Sequence, residues 1–430
     1  MKPMGMILLL LSFPLGAQPS EDRVALKDRL WISSKIYASI LQYFGHWQAV
    51  PDLNLDVAYR AYLEQVAASD DRLAFDLATM EFVAKLRNGH SDFGDRWLSR
   101  THGQGIGFWL DLTGGKWVVR DAGIEGLEAG QVVTAIEGQP TEKFVSDRSK
   151  YIGASDDRAR RAKVFFSGFL WPESFTLTFE GGNKLTVNRM HPKPKARSAR
   201  PELPTLPEGV RYHRIPSFEE PKFEDAAIDF VKANAQAKLL VFDVRGNGGG
   251  SSPERLLRAL MDRPYRDWMQ ASAMSFGLFA TYGELFRGVG LKDADPRTRG
   301  YLEGFSEYFE RPYFMAPGAL RQPESPSFTG PVFVLQDRYC ASACEDFVMP
   351  LKTSGRATVF GERTFGSSGQ PYLVDFGNGM NFRVSTKRMY FPDGTDFEGV
   401  GIKPDVEVIV PPVPGSDVVM QTALDVFAKR

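Results

Sequence analysis

One serine stands in a segment whose composition suits a nucleophile. Residues 337–350 read DRYCASACEDFVMP, and Ser342 lies there between Ala341 and Ala343, directly after the apolar run PVFVLQ. The two alanines leave room around the hydroxyl, so Ser342 could attack a substrate carbonyl if a neighbouring base removed its proton. A serine at this place is also typical of a helix N-cap, because a strand pattern changes here to a helical one.

A glycine-rich segment offers a second element of such chemistry. DVRGNGGGSS, residues 243–252, follows another apolar run and precedes a helical pattern. Its backbone amides are therefore expected at the carboxyl edge of a buried sheet. Amides in that position can stabilise an oxyanion, or they can form a tight strand-to-helix turn that has no chemistry. A P-loop phosphate site is excluded, because the Lys-Ser or Lys-Thr pair that completes it is missing.

Both segments belong to a stretch in which strand and helix patterns alternate. Residues 208–412 therefore predict an α/β core with a largely buried sheet. Residues 265–325 interrupt the alternation with an aromatic-rich, irregular segment, which we interpret as a cap or lid insertion. A C-terminal segment follows at residues 413–430.

The chain upstream of the core changes character twice. Apolar residues at three- and four-residue steps predict an N-terminal helical domain over residues 20–96. Short alternating runs with glycine turns predict a small β-rich module over residues 97–190, and the proline-rich basic residues 191–207 are typical of an extended linker. Residues 1–17 have the pattern of a signal peptide, with an uncleaved anchor as the alternative. We expect export, to a periplasmic or secreted location, with no stable membrane span after cleavage.

Composition bounds the partners of the chain. Lys and Arg total 52 against 53 Asp and Glu, so no bulk charge attracts nucleic acid, and 43% hydrophobic residues suit a globular protein. The five histidines and two cysteines show no metal-ligand spacing, and we expect neither a metal nor a cofactor. Cys340 and Cys344 are interpreted as two buried thiols, although a strained disulfide between residues four apart is compatible with the distance.

The ordered motifs carry a family resemblance. DVRGNGGG and CASACEDF, followed by GRATVFGERTFGSSGQ and FEGVGIKPDVEV, resemble the tail-specific or C-terminal processing peptidases of family S41, which include the tricorn protease. The resemblance implies a crotonase- or ClpP-like core of ββα units. It also implies a nucleophile at Ser342 and oxyanion donors at the amides of Ala343 and Gly250, with Gly249 beside them.

The same resemblance bears on the base. Many of these peptidases use a lysine in a TFGKG loop, but this chain has TFGSSGQ and places Ser367 at that position. The tricorn branch of the family has a Ser-His-Glu arrangement instead. Resemblance to that branch implies His90 of NGHSDFG as the base and Glu398 of FEGVGIKPD as the acid that orients it. An imidazole suits the role because it titrates near neutral pH. The remaining alternatives for the base and for a supporting hydroxyl are Lys352, Lys387, Ser91, Ser367 and Ser368.

The β-rich module contains a further recognisable loop. GQGIGFWL resembles the carboxylate-binding loop of PDZ domains, which implies peptide binding at Gly105, Ile106, Gly107 and Phe108. A plain β-turn is the alternative for so short a motif.

Together these features predict an exported serine endopeptidase that acts on protein or peptide substrates through an acyl-enzyme on Ser342. An esterase or other acyl hydrolase using the same three residues is one alternative. A ligand- or peptide-binding protein without catalysis on the same scaffold is another. The oligomeric state is left open by the sequence.

Overall fold

A computed structural model describes residues 21–103, 105–191, 193, 201–273, 292–296, 298–300, 303, 313–367, 369–409 and 415–429. The proposed signal peptide, Ser368 and much of the predicted linker and lid lie outside these residues. Among the helices described, none combines the length and the apolar composition that crossing a membrane requires.

Three helices form the N-terminal region: α1 (Leu26–Tyr43), α2 (Leu55–Ala68) and α3 (Arg72–Ala84). The second and third begin where the side chains of Asn54 and Asp71 accept hydrogen bonds from backbone amides of the first turn. Their apolar faces pack together in one buried cluster, which explains the three- and four-residue spacing in the sequence. The chain then turns at residues 88–91 and enters β1 (Asp92–Asp95).

The β-rich module that follows contains two small antiparallel sheets and three short helices. One sheet joins β2 (Phe108–Thr113) to β3 (Lys116–Ala122). The remaining elements are, in chain order, α4 (Arg96–His102), β4 (Val133–Ile136), β5 (Gln139–Pro140), α5 (Thr141–Ser149), α6 (Asp157–Val164), β6 (Ser174–Phe179) and β7 (Lys184–Asn188). The second sheet has the order β5-β4-β6-β7. Both sheets pack on one aromatic-rich core.

The α/β alternation predicted for the core is confirmed. A parallel sheet of order β19-β15-β14-β9-β8 is covered by helices, and every residue of its strands β9 and β14 is buried. Its elements are β8 (Val210–Arg214), α7 (Pro221–Ala233), β9 (Leu239–Asp243), α8 (Glu254–Leu260), β14 (Val332–Gln336), α9 (Ala343–Thr353), β15 (Ala357–Gly361), β19 (Val406–Glu407) and α10 (Val418–Ala428). Because β9 and β14 are parallel neighbours, the loops after them meet at one sheet edge.

The predicted insertion contributes strands to a neighbouring sheet. Strand β11 (Met269–Ala273) pairs with β12 (Tyr313–Ala316) on one side and with β18 (Lys387–Tyr390) on the other. Two shorter strands, β10 (Tyr265–Arg266) and β13 (Leu320–Arg321), pair with each other. The described part of the insertion is therefore attached to the core, and its lid role stays a prediction.

A last antiparallel sheet connects the N-terminal helices to the core. Strand β17 (Met380–Ser385) pairs with β16 (Pro371–Asp375) and with β1. The buried ion pair between Arg72 of α3 and Asp95, with Nε to Oδ2 at 2.7 Å, reinforces this junction. As a result, the turn at residues 88–91 is held against the core.

Candidate active site

Ser342 lies on a strained turn between β14 and α9. Its backbone has φ 55° and ψ −124°, a conformation that costs a non-glycine residue about 1–3 kcal/mol. The Ser342 amide donates to the Ser367 carbonyl at 3.1 Å and to Glu345 Oε2 at 3.0 Å. These hydrogen bonds hold the turn in its strained conformation. The Ser342 hydroxyl therefore lies at the sheet edge on a fixed backbone.

Glu345 is the residue that ties this turn to the TFGSSGQ loop. It is fully buried and accepts hydrogen bonds from Thr364 Oγ1 at 2.5 Å and from the amides of Gly366 and Ser367 at 2.7 and 3.2 Å, besides that of Ser342. Burial raises the pKa of Glu345 to about 8, and the donors act in the opposite direction. The sequence prediction did not include this residue. Its spacing three residues after a helix N-cap serine was the available signal.

The glycine loop packs directly on Ser342. Gly249 has φ 102°, and a Cβ there would lie 2.7 Å from the Ser342 Cβ and 3.0 Å from the Ala343 nitrogen. A Cβ at Gly250 would lie 2.1 Å from the Phe218 carbonyl carbon, so both positions require glycine. The loop after β9 and the turn after β14 therefore meet as predicted from their places in the sequence.

The proposed oxyanion donors differ in their hydrogen bonds. The Gly249 amide donates to Asn247 Oδ1 at 2.9 Å and is already used within the loop. Within the described part of the chain, the amides of Gly250 and Ala343 have no acceptor. These two are accordingly the amides free to bind a developing oxyanion.

His90 lies on the turn after α3, beside Ser342. Its Nε2 is 3.4 Å from Ser342 Oγ and its Nδ1 is 3.0 Å from Ser367 Oγ, while its backbone amide donates to Asn88 Oδ1 at 2.9 Å. Burial, and to a lesser degree the cations Arg383 and Lys163, lower the pKa of His90 to about 4. The imidazole is thus neutral at neutral pH, the form that accepts a proton.

Glu398 is buried near the same turn but meets other partners. Its Oε1 accepts from Asn88 Nδ2 at 3.2 Å and from Ser155 Oγ at 2.6 Å, and Ser155 Oγ itself accepts from the Gly89 amide at 3.0 Å. The two ring nitrogens of His90 face serine hydroxyls rather than this carboxylate. Glu398 is therefore linked to His90 indirectly, through Asn88 and Ser155, which hold the turn of residues 88–91. Asn88 and Ser155 had not been singled out from the sequence.

Comparison with known proteins confirms the resemblance over the α/β core. Residues 209–408 match the model of peptidase family S41. The matched range contains the glycine loop, Ser342 and Glu398, to which the ordered motifs belong.

Individual relatives and solved structures are similar to a larger part of the chain. The chloroplastic C-terminal processing peptidase of Tetradesmus obliquus is 26% identical over 290 residues, which cover 66% of this chain and 53% of that protein, so the chain spans about half its length. Mature CPAF in complex with lactacystin has a TM-score of 0.66 at 13% identity, over 94% of this chain and 97% of that one. The photosystem II D1 C-terminal processing protease has a TM-score of 0.51 at 20% identity, over 90% and 94%. At such identities the two structures show a shared fold.

The GQGIGFWL loop, which was predicted to be PDZ-like, is built around buried side chains. Ile106 and Phe108 belong to the core of the β-rich module, and the Gly107 carbonyl, at φ 82°, accepts from the Gly123 amide at 2.8 Å. Gly105 is exposed, and a Cβ added there would meet no atom within 4 Å. Peptide binding at this loop stays a prediction.

The module also contacts the turn that carries Ser342. Trp109 Nε1 of β2 donates to the Tyr339 hydroxyl at 3.1 Å, and that hydroxyl lies 3.2 Å from Asp111 Oδ2. Arg120 and Arg338 also pair with Asp111, at 2.9 and 3.3 Å. The β-rich module is therefore joined to the nucleophile turn by a buried polar cluster.

The two lysines that were alternatives for the base have other surroundings, whereas Ser367, an alternative supporting hydroxyl, lies beside His90 Nδ1. Lys352 forms an ion pair with Asp405, and burial lowers the pKa of Lys387. Cys340 and Cys344 are free and buried, and the Cys340 thiol donates to the Val244 carbonyl at 3.0 Å. Burial raises the pKa of both thiols. Across the described ranges, His, Cys, Asp and Glu form no group of three that could hold a metal ion.

Proposed function

We propose that this chain is an exported serine endopeptidase that hydrolyses peptide bonds through an acyl-enzyme on Ser342. The observation that carries the proposal is the strained serine turn whose Oγ lies 3.4 Å from the neutral imidazole of His90. A serine hydroxyl is a weak nucleophile until a neighbouring base takes its proton. The match of residues 209–408 to the model of peptidase family S41 supports the same reaction class.

The residues can be assigned to the steps of acyl transfer. His90 Nε2 accepts the Ser342 proton as Oγ attacks the peptide carbonyl carbon, and the negative oxygen of the tetrahedral intermediate is bound by the amides of Gly250 and Ala343. The imidazolium then donates its proton to the leaving amine. A water molecule, deprotonated by His90, attacks the ester carbonyl, and His90 returns the proton to Ser342 Oγ as the bond to the acyl group breaks and the acid product leaves.

Glu398 supports the base in this proposal. Its carboxylate accepts hydrogen bonds from the side chains of Asn88 and Ser155. The same two side chains hold the backbone of residues 88–90. Loss of Glu398 should therefore lower kcat more than it raises KM.

The proposed substrates are unfolded proteins or the C-terminal segments of proteins. The curated relative is named as a C-terminal processing peptidase, and a PDZ-like loop would bind a terminal carboxylate through its amides. The signal peptide pattern of residues 1–17 supports export to a periplasmic or secreted location.

The test compares wild type with Ser342→Ala and with Ser34→Ala, a control at an exposed serine of α1. We expect wild type and the control to degrade unfolded casein and to react with a fluorophosphonate probe, and Ser342→Ala to do neither. Equal casein turnover by Ser342→Ala would contradict the proposal. Turnover of short acyl esters alone would replace it with an acyl hydrolase, and a tightly retained ligand with no reaction at Ser342 would replace it with a binding protein.

A further inference from the structure

A lysine of the β-rich module reaches the turn that carries His90. Lys163 lies in the last turn of α6, and its Nζ donates to the Gly153 carbonyl at 2.9 Å and to the Gly89 carbonyl at 3.3 Å. Gly153 itself packs on this turn, since a Cβ there would lie 2.5 Å from the Ser91 carbonyl oxygen. One ammonium group thus joins a loop of the module to the residue directly before His90.

Among the described residues, no carboxylate bonds directly to this buried ammonium. Both acceptors of its hydrogen bonds are backbone carbonyls, and its Nζ also lies 5.8 Å from the centre of the Phe365 ring. Burial lowers the pKa of Lys163, whereas the more distant Asp92 and Glu398 raise it. Placing a cation in such a site is costly. Its position beside a proposed catalytic base calls for a functional explanation.

The other cation whose charge acts on His90 is paired with a carboxylate. Arg383 of β17 and Asp92 of β1 form an ion pair, with Nη2 to Oδ2 at 2.5 Å. Burial holds the pKa of His46 far below its ordinary value, so its ring is neutral. Among the residues that the structure describes, Lys163 is a cation near His90 that no carboxylate contacts directly. The titratable and charged groups that act on His90 are Lys163 of α6, Arg383 of β17, Asp92 of β1, and His46 between α1 and α2.

We propose that Lys163 is a positioning residue of the active site, which fixes the His90 turn through the Gly89 and Gly153 carbonyls and places a positive charge near the imidazole. The proposal rests on the peptidase function above. It assigns to the β-rich module a part in the chemistry itself, besides any role in binding peptides. The module helps to place the proposed base, and its lysine adds to the burial that lowers the proton affinity of His90.

Three substitutions separate the two actions of Lys163. Lys163→Met removes the charge and the donors, Lys163→Gln removes the charge but retains an amide donor, and Lys163→Arg retains the charge. Lys143→Met is the control, because Lys143 is an exposed lysine of the same module that pairs with Asp147.

The decisive measurement is the pH profile of kcat/KM for casein-derived peptides. We expect the acid limb, set by His90, to move upward by about one pH unit in the Met and Gln variants, because a like charge no longer opposes protonation. The Arg variant and the control should retain the wild-type limb.

We also expect kcat to fall about tenfold in Lys163→Met with KM nearly unchanged, because the turn loses its anchor. An unmoved acid limb in both Met and Gln variants would overturn the proposal, since a purely structural role lowers activity without moving it.

A second measurement does not depend on turnover. The His90 C2 proton can be titrated by NMR in Ser342→Ala protein, with His90→Gln to assign the signal. A higher His90 pKa after Lys163→Gln supports the proposal, and an unchanged one contradicts it. Failure of the peptidase function would appear separately, as wild-type protein that neither degrades casein nor reacts with a fluorophosphonate.

Discussion

The contact between the glycine loop and the nucleophile predicts the effect of Gly249→Ala. The new Cβ would lie 2.7 Å from Ser342 Cβ and 2.7 Å from the Ala341 carbonyl oxygen, whereas ordinary contacts begin at 3.4 Å. The difference, 3.4 − 2.7 = 0.7 Å, is the distance by which the Ser342 turn must retreat. A misplacement of about 1 Å can cost a catalyst about a hundredfold in rate, so we expect kcat to fall between about tenfold and a hundredfold.

Gly246 provides the matched control for this substitution. It belongs to the same loop and has φ 76°, against 102° for Gly249, but a Cβ at Gly246 meets nothing within 4 Å. Both alanine variants bear the strain of a positive φ, about 1–2 kcal/mol, and only Gly249→Ala adds the clash. Casein turnover and the rate of fluorophosphonate labelling measure the active site, and thermal unfolding measures the strain. If the two variants lose equal activity, backbone strain rather than the contact with Ser342 is responsible, and our reasoning fails.

Two further predictions concern buried carboxyl groups. Glu345→Ala deprives the amides of Ser342, Gly366 and Ser367 of an acceptor. We therefore expect the free energy of unfolding to fall by about 3 kcal/mol or more and fluorophosphonate labelling of Ser342 to be nearly lost. Labelling at the wild-type rate would contradict this, and Glu254→Ala, at an exposed glutamate, is the control. Burial, and next the neighbouring Asp95, raise the pKa of Asp76 to about 9. Between about pH 4 and 9 the carboxyl group is therefore protonated in the folded protein and ionised in the unfolded one. Unfolding releases a proton in this range, so wild type loses stability as the pH rises. Asp76→Asn should therefore gain stability relative to wild type across that range in chemical denaturation, and a constant difference between the two proteins would refute the assigned pKa.

Much of the architecture was predictable because it depends on local periodicity. The amphipathic spacing of α1 to α3 and the apolar runs of β9 and β14 are visible in the sequence, since each element must bury its own apolar face. The pairing of β11 with β18, more than 100 residues away, has no local signal. Strand partners chosen at that distance follow from the packing of the whole chain.

The candidate site divides in the same way. Ser342 and the glycine loop were predictable, because both follow buried parallel strands and must meet at one sheet edge. Ser155 and Lys163 were missed, because each contacts the site through backbone groups of another segment. Asn88 lies in the same turn as His90, and its contact with the distant Glu398 had no local signal. A polar residue of that kind has no distinctive spacing in the sequence, and only its buried hydrogen bonds reveal it.

The sequence by itself therefore determined the α/β core, the serine turn and the resemblance to peptidase family S41, because neighbouring residues encode strands, turns and motifs. Only the tertiary structure decided how the proposed base is held. It placed His90 within 3.4 Å of Ser342, turned its Nδ1 toward Ser367, and brought Lys163 of the β-rich module against Gly89. The physical reason is that the position and proton affinity of a buried imidazole depend on charges and dipoles within a few ångströms, whatever their separation along the chain.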